Sequence, residues 1–272
     1  AVMLANKIEA DIRMIWVEKV DTSDLFLPKM RKADQNEIIE HNFNALVARY
    51  KKGELAEGNK FKGEQLKGKL DYKIRKGKVY KEIVKQAIKD DAHLIIAGTH
   101  GASGFEEFWI GSNAGKIVDQ APCPTITIRF GTCIHEGIKT IVLPLSINVD
   151  TRQKVPYAVE MAKAFGAKIH VLPFVPSDSE QLLKSQKYTE QVEKVLKEKE
   201  VSYVISAIKK EDHVAETNKY MEKVNANLLI VMTGKESENS FFSGTYAQQM
   251  LRSSKVPVMH IHPKELYNTY LK

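Results

Sequence analysis

Short apolar runs alternate along this chain with longer stretches of helical periodicity. Runs such as 92–97 and 228–232 are of strand length and read as parallel strands that are covered on both faces. Strands that alternate with helices favour an α/β fold, with an open, mostly parallel sheet and helices on both of its faces. The pattern predicts strands at 12–17, 70–75, 93–97, 125–129, 140–143, 168–172, 203–207, 228–232 and 258–261.

A helical stripe precedes the second predicted strand. Its apolar residues recur at helical spacing, and we expect them to pack on the sheet. They are Ile38, Ile39, Phe43, Leu46, Val47 and Tyr50.

The sequence repeats itself in three places, in the same order. The matching segments are 1–15 with 158–172, 92–97 with 226–231, and 121–128 with 254–261. Repeats this far apart indicate a duplicated domain in which each copy has its own core, unlike a short-period solenoid. We predict two tandem copies of a five-stranded sheet, with domains at 1–130 and 138–265, a linker at 131–137 and a tail at 266–272.

The first copy begins later than the second. The second copy has a strand at 140–143 and a loop before its first helix, whereas Ala1 already lies inside the equivalent helix. The first copy therefore lacks its first strand. We expect roughly twenty residues to precede Ala1 in the natural chain, by the length of the corresponding segment of the second copy.

A glycine pattern joins the strand at 93–97 to the next helix. Gly98 and Gly101 are followed, after nine residues, by Gly111 and Ser112, with Ser112 as the predicted N-cap. Glycines let the backbone approach a ligand closely, and the first amides of a helix are unpaired donors at the positive end of its dipole. The pattern therefore predicts an anion site for phosphates, and it matches neither a dinucleotide-binding fingerprint nor a Walker loop.

The spacing G-x2-G-x9-G-[ST] resembles that of the universal stress protein family. The resemblance implies an adenine-nucleotide alpha-hydrolase-like fold that binds ATP, ADP or AMP, with Mg²⁺ accompanying the nucleotide. Adenine would lie near Val17 and Ala97. The aspartate that contacts adenosine in the family follows the missing strand. The residues implied to meet the phosphates are Gly98, Gly101, Gly111, Ser112, Asn113 and Ala114.

The second copy departs from this pattern. Met232 and Lys235 stand in place of the first two glycines, and the loop is one residue shorter but ends in Gly244 and Thr245. Ser146 stands where the family has its aspartate. We therefore expect the second copy to bind ATP weakly or not at all, with Lys235 either attracting another anion or simply solvated.

Two functions remain open. The first is a stress-response or regulatory protein that binds adenine nucleotide at one site and is not an enzyme, apart from slow hydrolysis. The second is a scaffold that binds no nucleotide and presents a surface to another protein. Family domains associate through their fifth strands, which implies an internal pseudo-dimer, and a homo-oligomer is also open. A third class, adenylate-forming or nucleotide-cleaving enzymes, would need signatures such as His-Ile-Gly-His, which this chain lacks.

Several side chains have two interpretations, and we assign none of them a catalytic or metal-binding role. His100 is either a phosphate contact or general acid, or a solvent-facing loop residue. Phe108 and Trp109 either cover the nucleotide or anchor a partner, or pack as a lid. His260 and His262 share one face of a strand, which suits either metal ligation or an interface.

Composition narrows the class of protein. With 41 basic and 34 acidic residues the net charge is +7, which favours acidic partners such as nucleotides or simply aids solubility. Lysines are spread along the chain and do not form a basic stripe, so nucleic-acid binding is not predicted. No apolar run has membrane-spanning length. Two cysteines, Cys123 and Cys133, indicate a reducing, cytoplasmic location, with Cys123 packed rather than reactive.

Overall fold

The computed structural model describes residues 1–18, 32–52, 65–99, 112–129, 132, 137–209, 211–233 and 245–263. The helices are α1 (Val2–Ile8), α2 (Lys32–Lys52), α3 (Val79–Lys89), α4 (Ser112–Gln120), α5 (Val155–Phe165), α6 (Ser179–Glu198), α7 (His213–Lys223) and α8 (Tyr246–Ser253). A 3₁₀ helix (Val149–Lys154) leads directly into α5. The strands are β1 (Ile12–Glu18), β2 (Leu70–Lys76), β3 (Ile95–Gly98), β4 (Thr125–Ile128), β5 (Thr140–Leu145), β6 (Lys168–Pro173), β7 (Tyr203–Ile205), β8 (Leu228–Met232) and β9 (Val258–Ile261).

The α/β architecture agrees with the sequence pattern, because a strand lies at every predicted position. β8 and β9 have the predicted bounds, whereas β5 continues two residues further, to Leu145. β7 ends at Ile205, two residues earlier than predicted. Element type thus follows the pattern, and differences are confined to the ends.

Seven strands form one sheet in the order β3-β4-β9-β8-β5-β6-β7. Neighbouring strands run parallel except β4 and β9, which pair antiparallel. β5 pairs with both β6 and β8, so the second repeat has the sheet order β7-β6-β5-β8-β9. The two repeats meet at their last strands, where Ile126 lies opposite Met259.

The first repeat contributes strands to two sheets. β1 and β2 form a parallel pair of their own, whereas β3 and β4 belong to the seven-stranded sheet. In the described part of the chain, no strand of the first repeat corresponds to β5. The chain accordingly divides into two compact units, Ala1–Gln86 and Ala87–Lys272. The domain limits drawn from the repeat remain a prediction.

The core of the first unit is small. Val47 and Tyr50 of α2 pack against it, and Phe43 stacks on Tyr72 with ring centroids 5.0 Å apart. The prediction for α2 is wrong at Ile38 and Leu46, whose side chains are 59% and 37% exposed. Strands lie only about 5 Å apart, so a two-stranded sheet is too narrow to cover the whole apolar stripe of a helix. The buried residues of this core are Ala5, Leu66 and Leu70.

The core of the second unit lies on the strands that carry the second repeat. β5 and β8 are buried on both faces, because adjacent residues point to opposite faces and are at most 1% exposed, as Ile141 and Val142 in β5 and Leu228 and Leu229 in β8 show. α7 and α8 pack on this sheet through Met221 and Met250, which belong to one buried cluster with residues of β5, β6, β8 and β9. The rigid ends of these strands are therefore suited to hold a site.

We predict opposite effects of alanine at two glycines that have equal room for a methyl group. A Cβ at Gly115, inside α4, or at Gly166, after α5, meets no atom within 4 Å. Gly166 has φ of 66°, a left-handed conformation that L-residues adopt at a cost, so Gly166→Ala should lower the free energy of unfolding by about 1 kcal/mol. Gly115→Ala should raise it by about 0.5–1 kcal/mol because alanine favours helix. Thermal unfolding of both variants checks this, and equal shifts would contradict the assigned backbone at Gly166.

Candidate functional site

The two repeats share the same main-chain hydrogen bonds around one pair of strands in each, β3 with β4 in the first repeat and β8 with β9 in the second. Ile95 N donates to Pro124 O at 3.0 Å, and Leu229 N donates to Pro257 O at 3.0 Å. Beyond the strands, Thr99 N donates to Ile128 O at 3.0 Å, as the amide of the equivalent Thr233 does to Ile261 O at 2.7 Å. Gly98 and Met232 therefore occupy equivalent positions, each at the carboxyl end of its strand.

The predicted phosphate residues lie at the end of β3 and the start of α4. Gly98 is exposed at the end of β3, next to the half-buried Ala97. α4 begins at Ser112. The helix therefore starts one residue earlier than predicted, since the prediction made Ser112 the N-cap that precedes the helix. In its first turn Asn113 is half-buried and Ala114 is buried.

The other predicted residues lie either in the first compact unit or outside the described residues. Val17 is half-buried in β1 and belongs to the first compact unit, whereas β3 and α4 belong to the second. The remaining predicted residues lie outside the described residues. They are Gly101 and Gly111 of the glycine pattern, His100, Phe108 and Trp109 of its loop, Cys133, and Lys235 and Gly244 of the second copy.

A cavity of about 230 Å³ opens at the carboxyl ends of the strands of the second repeat. We call it the second-repeat cavity. Pro144 of β5, Met232 at the end of β8 and Phe174 just after β6 line it. Ligands of open α/β sheets bind beyond the carboxyl ends of parallel strands, so the cavity lies where this fold places ligands.

Polar groups reach the same cavity from the segment after β5. Asn148 caps the 3₁₀ helix by accepting a hydrogen bond from Asp150 N at 3.0 Å, which turns the chain back over the sheet. Thr151 and Lys154 are 4% and 3% exposed, and Lys154 Nζ donates to Thr151 Oγ1 at 3.2 Å. Lys154 therefore lines the cavity although almost none of its surface is exposed. Sequence reasoning missed Lys154, since a lysine in a polar stretch gives no signal of burial.

Side chains of the first turn of α8 and of its N-cap accept hydrogen bonds from the main chain at the start of this helix. Gln248 N donates to Thr245 Oγ1 at 3.3 Å, and Thr245 N donates to Gln248 Oε1 at 3.3 Å. This reciprocal capping box occupies two of the donors that a helix start offers to an anion.

The model of the universal stress protein family matches residues 23–129 and again residues 137–262. The chain belongs to the universal stress protein family. The two matches agree with the tandem repeat in the sequence.

Individual members of the family are similar over parts of the chain. A universal stress protein of Thermus aquaticus is 34% identical over 59 residues, which cover 22% of this chain and 43% of that protein. One from Methanocaldococcus jannaschii is 34% identical over 61 residues, 22% of this chain and 36% of that protein. The chain thus matches less than half the length of these two relatives.

The crystal structure of a universal stress protein from Archaeoglobus fulgidus has the same fold over nearly the whole chain. The TM-score is 0.74 at 14% identity, with 97% of this chain and 90% of that chain covered. At this identity the likeness concerns the fold alone.

Two of the positions at which the second repeat departs from the family pattern line its cavity. Met232 occupies the place of Gly98, and Ser146 stands where the family has an aspartate. The Ser146 hydroxyl accepts a hydrogen bond from Asn148 N at 3.3 Å. This universal stress protein therefore has a cavity in its second repeat that differs in chemistry from the predicted site of the first.

His260 lies at the antiparallel seam between the repeats, opposite Thr125 in the pairing of β4 with β9. Its side chain is 0% exposed, and its Nε2 is 3.1 Å from Thr127 Oγ1. His262 Nδ1 is 2.9 Å from Thr233 Oγ1. Within the described residues, no cluster of three His, Cys, Asp or Glu side chains could hold a metal ion.

Cys123 precedes β4 and is half-buried. Burial raises the pKa of its thiol to about 11, so the nucleophilic thiolate is scarce at neutral pH. This agrees with a packing role. Among the described residues, no helix is both long and apolar enough to span a bilayer.

We predict that His260 makes the free energy of unfolding depend on pH. Burial lowers the pKa of His260 to about 3, against about 6.5 in the unfolded chain. Between these values the unfolded chain binds a proton that the folded chain does not, so stability should fall with falling pH by up to about 1.4 kcal/mol per pH unit. Urea unfolding between pH 8 and pH 4.5 measures this slope.

The matched variant is His260→Gln, which retains a polar partner for Thr127 but does not titrate. The difference in stability between this variant and the unaltered protein should stay constant above pH 7.5 and shrink steadily below pH 6.5. A difference that stays constant down to pH 4.5 would contradict the burial of a neutral imidazole.

Proposed function

We propose that this universal stress protein is a stress-response or regulatory protein that binds adenine nucleotide, ATP or its ADP and AMP forms, at one site in its first repeat. The observation that carries the proposal is the position of the glycine pattern. β3 ends at Gly98 and α4 begins at Ser112, so the pattern connects a strand end to a helix start. Phosphate binds well at such a junction because glycine allows close approach and the helix start offers amide donors.

Comparison of the repeats supports an open site at this point. In the second repeat, Met232 occupies the position of Gly98, and its side chain lines the cavity. Glycine at the same place in the first repeat leaves that space to a ligand. Adenine would lie near Ala97, with Mg²⁺ accompanying the phosphates, and the role of Val17 stays a prediction from the sequence. The amides proposed to meet the phosphates belong to Gly98, Gly101, Gly111, Ser112, Asn113 and Ala114.

The second repeat is proposed to be a degenerate nucleotide site. Two donors at the start of α8 are already engaged in the capping box of Thr245 and Gln248. Met232 blocks the close backbone approach, and Ser146 lacks a carboxylate for adenosine. We also propose the domain limits given by the repeat, a cytoplasmic location, and binding rather than catalysis.

The paired repeats carry the second candidate function, a protein-interaction scaffold. β4 and β9 pair antiparallel within one sheet, which favours an internal pseudo-dimer in which the two copies act as one body. Such a body could present a surface to another protein without nucleotide. Binding of nucleotide to the first repeat separates this candidate from the first.

We expect isothermal titration calorimetry with ATP to show binding to one site per chain. Gly101→Val and Gly111→Val should weaken that binding at least tenfold, because a branched side chain keeps the phosphates away from the main chain. Gly115→Ala is the matched control. It lies in the same segment and meets no atom within 4 Å, so it should bind as the unaltered chain does.

A folded, unaltered chain that gives no heat with ATP, ADP or AMP would contradict the nucleotide site and leave the scaffold. Retained binding in both valine variants, with circular dichroism confirming their fold, would show that the nucleotide sits elsewhere.

A further inference from the structure

We propose that the free edge of β7 is a dimerisation surface, on which β7 of a second copy of this chain pairs antiparallel about a two-fold axis at Ile205. β7 is the last strand of the seven-stranded sheet, and among the described strands it pairs with β6 alone. A free strand edge is a template for pairing with another chain. This inference concerns the second unit and stands whether or not the first repeat binds nucleotide.

The main chain of residues 202–208 bonds to β6 through every second residue. The residues that bond inward are Ser202, Ser206 and Ile208, each by a main-chain hydrogen bond of 2.9 Å to a residue of β6. Successive residues of a strand direct their N–H and C=O groups to opposite edges. The main-chain groups of Tyr203, Ile205 and Ala207 therefore point away from β6, along the free edge.

The edge lacks the features by which proteins protect free strands. Residues 201–208 include no charged residue, proline or glycine, and the side chains of Val204 and Ile205 are 39% and 38% exposed. By contrast β2, the corresponding strand beside β1 in the first unit, has a charged residue at every second position from 71 to 75. Charges on an edge strand discourage pairing with another chain. β7 is therefore open to pairing in a way that β2 is not.

A second copy suits this edge because the edge is complementary to itself. With a two-fold axis at Ile205, each Ile205 lies opposite its counterpart, and Tyr203 lies opposite Ala207 of the second copy. Each outward N–H group then faces a C=O group, as in the hydrogen-bonded pairs of an antiparallel ladder. A large side chain also meets a small one on either side of the axis. The same patch thus serves both subunits, as a two-fold interface requires.

The charges that flank the edge match in the same arrangement. Lys199 and Glu200 precede the edge, Lys209 and Glu211 follow it, and all four are exposed. Antiparallel pairing brings Lys199 towards Glu211 of the second copy, and Glu200 towards Lys209. Exposed ion pairs add little stability, but matched charges select one orientation over another. A parallel arrangement would instead bring Lys199 towards its own counterpart.

Sedimentation velocity of the whole chain, from about 5 µM to about 0.5 mM, measures the association. We expect a reversible monomer–dimer equilibrium, because so short an edge buries little surface. Ile205→Lys should raise the dissociation constant at least tenfold, since it places two ammonium groups opposite each other at the axis. Ile88→Lys is the matched control, because Ile88 is 63% exposed on α3, and it should stay within twofold of the unaltered chain. A chain that stays monomeric throughout, or equal dimerisation by both variants, overturns the proposal.

A second variant covers the case in which Ile205→Lys fails to fold. The Ala207 N–H group points outward, so Ala207→Pro removes a donor to the second copy and leaves the hydrogen bonds to β6 in place. This variant should raise the dissociation constant at least fivefold, with an unchanged circular dichroism spectrum. Dimerisation as tight as that of the unaltered chain overturns the proposal.

Disulfide formation between two copies tests the register. Ile205→Cys and Val204→Cys are made separately in a chain whose Cys123 and Cys133 are replaced by serine. The two positions are almost equally exposed, but only Ile205 lies opposite its counterpart, with Cα atoms about 5.5 Å apart, which a disulfide can span. With oxidised glutathione, Ile205→Cys should form linked dimers at least fivefold faster than Val204→Cys. Equal rates, or faster linkage through Val204→Cys, overturn the two-fold axis at Ile205.

Discussion

The antiparallel pairing of β4 with β9 is the constraint on which the seven-stranded sheet depends. The last strand of each repeat would otherwise be an edge with unpaired main-chain groups, which proteins avoid exposing. Pairing each edge with the other satisfies both at once and buries Ile126 and Met259 at 4% and 5% exposure. β3 and β4 of the first repeat thereby join the sheet of the second, while β1 and β2 form a sheet of their own.

Polar residues at this seam fix its register. His260 and Thr127 are almost fully buried, and their side chains are 3.1 Å apart, so a slip of one strand by one residue would put them on opposite faces of the sheet and break the contact. Burial of the His260 ring strongly lowers its pKa and leaves its Nδ1 atom without a hydrogen-bond partner among the described residues. An apolar pair would pack as well but would specify the register less strongly, which is our hypothesis for the presence of histidine here.

The sequence predicts the two ends of a strand best where both faces of the strand are buried. β8 is buried along most of its length, so its apolar run marks both of its ends. β7 pairs only with β6 within the sheet and exposes Val204 and Ile205 by more than a third, and the predicted run extends past the last residue of the strand. For α2 the helical period was predicted correctly, but the narrow sheet below it leaves Ile38 exposed.

The candidate site also has parts that the sequence predicts and parts that it does not. The strand end at Gly98 and the helix start near Ser112 follow from local patterns, because glycine and capping residues mark them in the sequence. The burial of Lys154 does not follow from any local pattern. It arises when the 3₁₀ helix after β5 folds over the carboxyl ends of strands that are distant in sequence. Only tertiary structure brings such residues together.

Duplication allows one chain to carry two different sets of side chains on the same strand framework. Both repeats keep the main-chain hydrogen bonds just beyond the ends of β3 and β8. The backbone is therefore the same at these two strand ends, while the side chains around them differ. Where the first repeat has Gly98, the second has a methionine that fills space, and its next helix begins with a capping box that uses its own donors. The strand ends of the two repeats thus share their main-chain geometry and differ in the side chains that surround them. Since these side chains lie outside the pairing of β4 with β9, they can differ between the repeats without any loss of the pairing that joins the two copies.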